Sequence, residues 1–94
     1  MNQSNKFAAV KEIELCITNI LKSSRPELAF EASNDLIEDG LLDSFDIVML
    51  IAELEKEFKI SIPGDQILPE NFTSIPSIAL LVIQLQMRDR LNEG

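Results

Sequence analysis

Apolar positions along the chain fall into three runs of helical period, separated by stretches that lack one. Phe7, Val10, Ile13, Ile17 and then Ile20 with Leu21 recur at steps of three or four, the spacing of one helix face. Lys6, Lys11, Glu12, Glu14 and Asn19 fill the remainder. The pattern predicts a helix from about Asn5 that ends at Ser23-Ser24-Arg25-Pro26, where proline removes a backbone donor and drives its predecessor out of the helical region. A second helix is predicted to open at Asp43 or Ser44. Asp43 suits the N-cap, and Asp46 gives the acidic first turn that the helix dipole favours. Ile47, Leu50, Ile51, Leu54 and Phe58 form its inward stripe. On a wheel at about 100° per residue, that stripe centres on Ile47, Leu54 and Phe58. Phe45, Met49, Ala52 and Lys56 lie opposite, with Val48 at the edge.

The third run starts after Thr73 or Ser74, with Pro76 early in it, and reaches about Leu91. Ile78, Leu81, Val82 and Leu85 make one stripe; Leu80, Ile83 and Met87 make another. A helix apolar over so much of its circumference is either deeply buried or covered by a partner. Between the first two helices, Leu28, Phe30, Leu36, Ile37, Leu41 and Leu42 are scattered without period, which predicts a long loop packed on the core, with a turn at Asp39-Gly40. Residues 58–62 alternate as a strand would, but no second strand is evident to pair with them. They are read as the helix end and an extended link closed by Pro63-Gly64. Pro69 to Phe72 reads as a short helical turn. The expected fold is all-α, a small four-helix bundle of three long helices and one short one. It forms one domain over residues 1–94, and residues 1–4 are expected to be a disordered tail; 94 residues leave no room for a second core.

Composition narrows the function by exclusion. Sixteen acidic groups against eight basic ones give a net charge of −8, which argues against nucleic acid and anionic membranes and favours basic protein partners. Ten of those acids lie between Glu27 and Glu57, with Lys56 the one base among them. A charge run alone is ordinarily a solvated face; the functional alternative is a docking surface. With one cysteine, Cys16, no intrachain disulfide can form, and with no histidine there is no imidazole for metal binding or acid–base work. Cys16 itself reads as a small buried apolar group. The polar start, Met1 to Lys6, lacks a signal core and makes a cytoplasmic location the expectation. No apolar run is long enough to span a bilayer.

Candidate chemistry is sparse. Asp35, Asp39, Gly40 and Asp46 superficially suggest a calcium loop, but that register puts Ile37 where a side-chain oxygen is needed and no glutamate at the closing position. The three glycines form no phosphate-binding loop, and Ser44 has no histidine or lysine base nearby. No catalytic residue and no metal ligand is therefore predicted. Ser44 at a helix start is ordinarily a cap. Here, however, it sits beside outward apolar residues inside a rim of Asp43, Asp46 and Glu53. Exposed apolar groups rimmed by charge mark interaction sites, and a phosphate on Ser44 would meet the first-turn N–H groups of the helix.

The run from Asp35-Leu36 through Asp39-Gly40-Leu41-Leu42-Asp43-Ser44-Phe45-Asp46, with Glu53-Leu54-Glu55-Lys56-Glu57-Phe58 and the helix order, resembles the acyl, peptidyl and D-alanyl carrier proteins. Their signature is Asp-Ser followed by a large apolar residue. The resemblance covers nearly the whole chain. It implies that a phosphopantetheinyl transferase moves 4'-phosphopantetheine from coenzyme A to Ser44, with Asp43 positioning the serine. The arm's thiol would then hold an acyl or aminoacyl group as a thioester, and the protein would have no catalytic activity of its own. Phe45, Asp46, Val48, Met49, Ala52 and Glu53 would face partners: the transferase, then an adenylating ligase, an acyltransferase or a condensing enzyme. The bundle between the first, second and last helices would offer a short chain shelter. Fatty-acid carriers typically have Leu after the serine and a more acidic second helix, from which Phe45, Met49 and Lys56 depart. Gly40 to Phe45 looks more like D-alanyl carriers and stand-alone carriers loaded by a ligase, although residues 69–75 lack the Trp often found in the D-alanyl family. The expectation is thus a monomeric D-alanyl, aminoacyl or specialised acyl carrier in lipid, cell-wall or secondary-metabolite biosynthesis. A fatty-acid-synthesis carrier and a non-covalent helical adaptor are the alternatives.

Overall fold

The computed structural model describes the backbone of residues 5–93 and the side chains of residues 9–89. Three α-helices carry it: α1 (Asn5–Ser24), α2 (Ser44–Phe58) and α3 (Ile75–Glu93), with short 3-10 turns at Phe30–Ala32, Gly64–Gln66 and Pro69–Phe72. The fold is all-α as expected, and the expected short fourth helix is the four-residue 3-10 turn at Pro69–Phe72. The proposed tail at residues 1–4 and the packing of Phe7 lie outside the described residues, as does the side chain of Leu91.

α1 packs chiefly against α3, and α2 lies across both. Ile17, Leu54, Ile78 and Val82 meet at the centre with no exposed surface. Phe30, Leu36 and Phe72, also buried, reach the same core from the connecting segments. This explains how a long aperiodic connection holds a single path. Leu36 N–H donates to the carbonyl of Thr73 at 2.6 Å, and its own carbonyl accepts from Leu41 and Leu42. Asp35 takes the N–H groups of Ile37 and Glu38 at 3.1 and 3.0 Å, while Ser33 donates to Asp39 at 2.6 Å. The carboxylates that mimic a calcium loop thus tie the backbone of a turn. Gly40, at φ 77°, supplies the left-handed residue that this turn requires.

α2 ends at Lys59 in the left-handed conformation, with its N–H on the carbonyl of Glu55. The side chain of Glu55 also accepts from Ile62 N–H at 2.9 Å, so the extended link needs no partner strand and buries Ile60 and Ile62. Ser74 caps α3 by accepting Ser77 N–H at 3.2 Å. In α3 the first stripe is buried as expected. Of the second stripe, Leu80 and Met87 are exposed and Ile83 is half-buried.

Candidate functional site

The start of α2 is built by two carboxylates. Asp43 keeps an extended backbone (φ −110°, ψ −176°) and its Oδ1 accepts Asp46 N–H at 2.9 Å. Asp46 returns the bond, its Oδ2 accepting Asp43 N–H at 3.2 Å, which closes a capping box with aspartate at the third position. Arg25, just past the end of α1, donates from Nη2 to Asp46 Oδ2 at 3.3 Å and Oδ1 at 3.5 Å. One half-buried carboxylate therefore ties the exit of α1 to the entrance of α2. The Asp46 N–H bond holds the Asp43 carboxyl below its ordinary value, assisted by the Asp46 side chain, the charge of Arg25 and Phe45 N–H, and opposed by desolvation.

Ser44 is the first residue of α2 and is exposed. Phe45 (71% exposed), Val48 (62%) and Met49 (53%) follow it on the outer side, so the faces drawn on the sequence wheel are correct in kind. The inward centre is displaced: Leu50 and Leu54 are buried, whereas Ile47, Ile51 and Phe58 are half-buried. Ala52 and Glu53 are exposed. Asp46, expected among the docking residues, has its carboxylate engaged by Arg25 and by the Asp43 N–H.

Beside Ser44 a groove of about 390 Å³ runs between the last turns of α1 and one face of α2. Ile20, Leu21 and Arg25 form one wall and Phe45, Met49 and Glu53 the other, with Phe30 and Leu42 below. A second hollow of about 350 Å³ lies between α1 and the start of α3, away from α2. Cys16 is only half-buried, and that burial, with Glu57 nearby, pushes its thiol above the ordinary value. It is a less reactive thiol, apart from the groove.

Sequence reasoning missed Arg25, which it read only as part of a helix stop. The available signal was that Arg25 is the lone cation between Lys22 and Lys56 in a strongly acidic stretch. Its partner lies 21 residues away, beyond any local pattern. Among the described residues, no helix is long and apolar enough to cross a membrane.

Comparison with known proteins bears on this site. A family model described as a phosphopantetheine attachment site matches residues 13–82. The D-alanyl carrier proteins of Lactococcus lactis subsp. cremoris (strain MG1363) and subsp. lactis (strain IL1403) are each 38% identical over 60 residues, covering 64% of this chain and 76% of theirs. No solved structure matches the chain significantly.

Proposed function

The chain belongs to the phosphopantetheine-attachment family of carrier proteins, and from that premise we propose that Ser44 bears the prosthetic group and that the cargo is aminoacyl, D-alanyl in kind. The family's prosthetic group is covalent 4'-phosphopantetheine. The residues at the mouth of α2 fit its phosphodiester: an exposed hydroxyl, the N–H end of a helix and the nearby Arg25 guanidinium. The observation that carries the reading is Ser44 standing exposed as the first residue of a helix whose start Asp43 fixes.

When bound, the arm supplies a terminal thiol that holds the cargo as a thioester. The chain's own residues position and present it. Asp43 and Asp46 set where α2 begins and so hold the Ser44 backbone at the helix mouth. Phe45, Val48, Met49, Ala52 and Glu53, with Asp46 at the edge, form the face that partners read, apolar groups rimmed by acids. Tethering raises the effective concentration of cargo at each partner. The partners are a phosphopantetheinyl transferase and an adenylating ligase, and the protein works as a single monomeric domain in the cytoplasm, where coenzyme A and ATP are supplied. It catalyses no step itself. Similarity to proteins named D-alanyl carrier protein supports this cargo over a fatty acyl chain.

Intact-mass measurement after incubation with coenzyme A and a broad-specificity phosphopantetheinyl transferase tests the attachment. The expected result is one added phosphopantetheine, absent in Ser44→Ala. An unchanged mass beside an active control carrier would leave the chain a non-covalent adaptor. Offering the holo-protein D-alanine or fatty acids with the corresponding ligases then tests the cargo, and loading by fatty acid alone would overturn the aminoacyl reading.

A further inference from the structure

The groove beside Ser44 begins where α2 begins. Phe45, Asp46, Met49, Leu50 and Glu53 occupy one face of that helix, and the last turns of α1 stand opposite. The bundle interior is different. Ile17, Leu54, Ile78 and Val82 fill it without exposed surface, so a guest there would displace close-packed side chains. The groove lies outside that core and is already open.

Its polar groups are not spread evenly. Arg25 and Asp46 are paired at the mouth. Ser23 and Ser24 also line the groove and precede Arg25 in the chain, while Ile20, Leu21 and Met49, further from the mouth along α1 and α2, are apolar. Glu53 stands at the far end, exposed and in no ion pair among the described residues. That order suits a guest with an anionic group at the mouth, a mostly apolar body and a cationic tip.

Taking Ser44 as the attachment point, we propose that this groove is the resting site of the loaded arm and that Glu53 receives the ammonium group of an aminoacyl cargo. The lengths agree. Glu53 lies nine residues beyond Ser44, about 13 Å along the helix axis at 1.5 Å per residue. The arm has about fourteen bonds from serine oxygen to sulfur and extends about 16 Å at the per-bond reach of an extended chain. The thioester therefore comes to rest at the level of Glu53. There the α-ammonium of an aminoacyl group meets an exposed carboxylate that has no ion-pair partner among the described residues. An uncharged acyl group would have the apolar walls but no partner for Glu53. The groove thereby discriminates by charge and not by chain length.

The test uses the full chain labelled with ¹⁵N, loaded by the transferase from coenzyme A, from D-alanyl-coenzyme A and from N-acetyl-D-alanyl-coenzyme A, with intact mass checked at each stage. In the D-alanyl form, amide resonances of Ile20, Met49 and Glu53 should shift from their apo positions. The shift at Glu53 should be lost in the N-acetyl form and in Glu53→Gln, while that at Met49 persists. Met49→Gln, an exposed substitution that leaves the core intact, should reduce the shift at Ile20. An added mass with shifts confined to residues beside Ser44, or equal shifts with the ammonium blocked, overturns the groove assignment alone. No added mass overturns the attachment reading, and the groove assignment with it.

Discussion

Asp43 accepts the Asp46 N–H best as a carboxylate, and its folded-state pKa lies below the ordinary 3.8. A depressed carboxyl pKa contributes stability that is present above the unfolded value and lost as pH falls through the lower folded one. Acid unfolding should therefore draw on Asp43 below about pH 4, near the unfolded carboxyl pKa. Asp43→Asn caps a helix comparably but does not titrate. Urea titrations across a pH series should give the variant near-native stability at neutral pH and a shallower acid limb. Parallel limbs would separate the ionisation of Asp43 from folding. Arg25→Gln acts one bond further out. The pair it breaks is partly exposed, with Arg25 at 43% and Asp46 at 23%, so the loss should be at most about 1 kcal/mol and should shrink in high salt. A larger, salt-independent loss would mean that Arg25 holds α1 to α2 by packing and not by charge.

At the scale of the element, α2 divides its work between two faces. Leu54 has no exposed surface, and Leu54→Ala should cost about 2–5 kcal/mol by thermal or urea melting. Phe45 is 71% exposed, so Phe45→Glu should change stability by no more than about 0.5 kcal/mol. If Phe45 belongs to the proposed docking face, the substitution should nonetheless lower the transferase's kcat/KM. A collapsed circular dichroism spectrum for Phe45→Glu would mean that the ring holds the fold. This division was legible in the sequence, since a helix face is a local period and Phe45, Val48 and Met49 stand off it. The exact centre was not: which of Ile47, Leu50 and Leu54 lies deepest depends on where α1 and α3 cross α2, and no periodicity carries that. The same limit governs α3, whose two apolar stripes are equivalent on a wheel, although the one holding Ile78 and Val82 is fully buried while the other reaches the core only through half-buried Ile83. The short helix at Pro69–Phe72 was legible as a turn, but its tighter winding was not. The long loop was legible through Phe30, Leu36 and Leu42, because apolar residues in an aperiodic segment still have to be buried. At the candidate site, the helix-start position of Ser44 and the capping role of Asp43 were legible from their order beside an apolar run. Arg25 was not, because its role exists only once α1 and α2 are packed.

Across the whole molecule the charge is divided unequally. Residues 27–57 hold ten acids against one base, and the remainder holds six against seven. The loop and α2 therefore carry essentially all of the net −8, in the same stretch of chain that contains Ser44. Such a field orients the molecule as it approaches a basic partner, so complementarity should act on encounter more than on the chemical step. With the transferase as partner, kcat/KM should fall as salt rises and the screening length shortens from about 10 Å at 0.1 M towards about 3 Å at 1 M, while kcat stays nearly constant. Reversing one rim charge by Glu53→Lys should lower kcat/KM at low salt and flatten its salt dependence, since an exposed charge chiefly changes the on-rate. If instead kcat/KM is flat with salt for both proteins, the acids are solvated surface, and recognition rests on the apolar contacts of Phe45, Val48 and Met49. A joint fall in kcat for Glu53→Lys would place that acid in the transfer step itself, which its distance from Ser44 along α2 argues against: Glu53 stands more than two helical turns away, about 13 Å by the rise per residue.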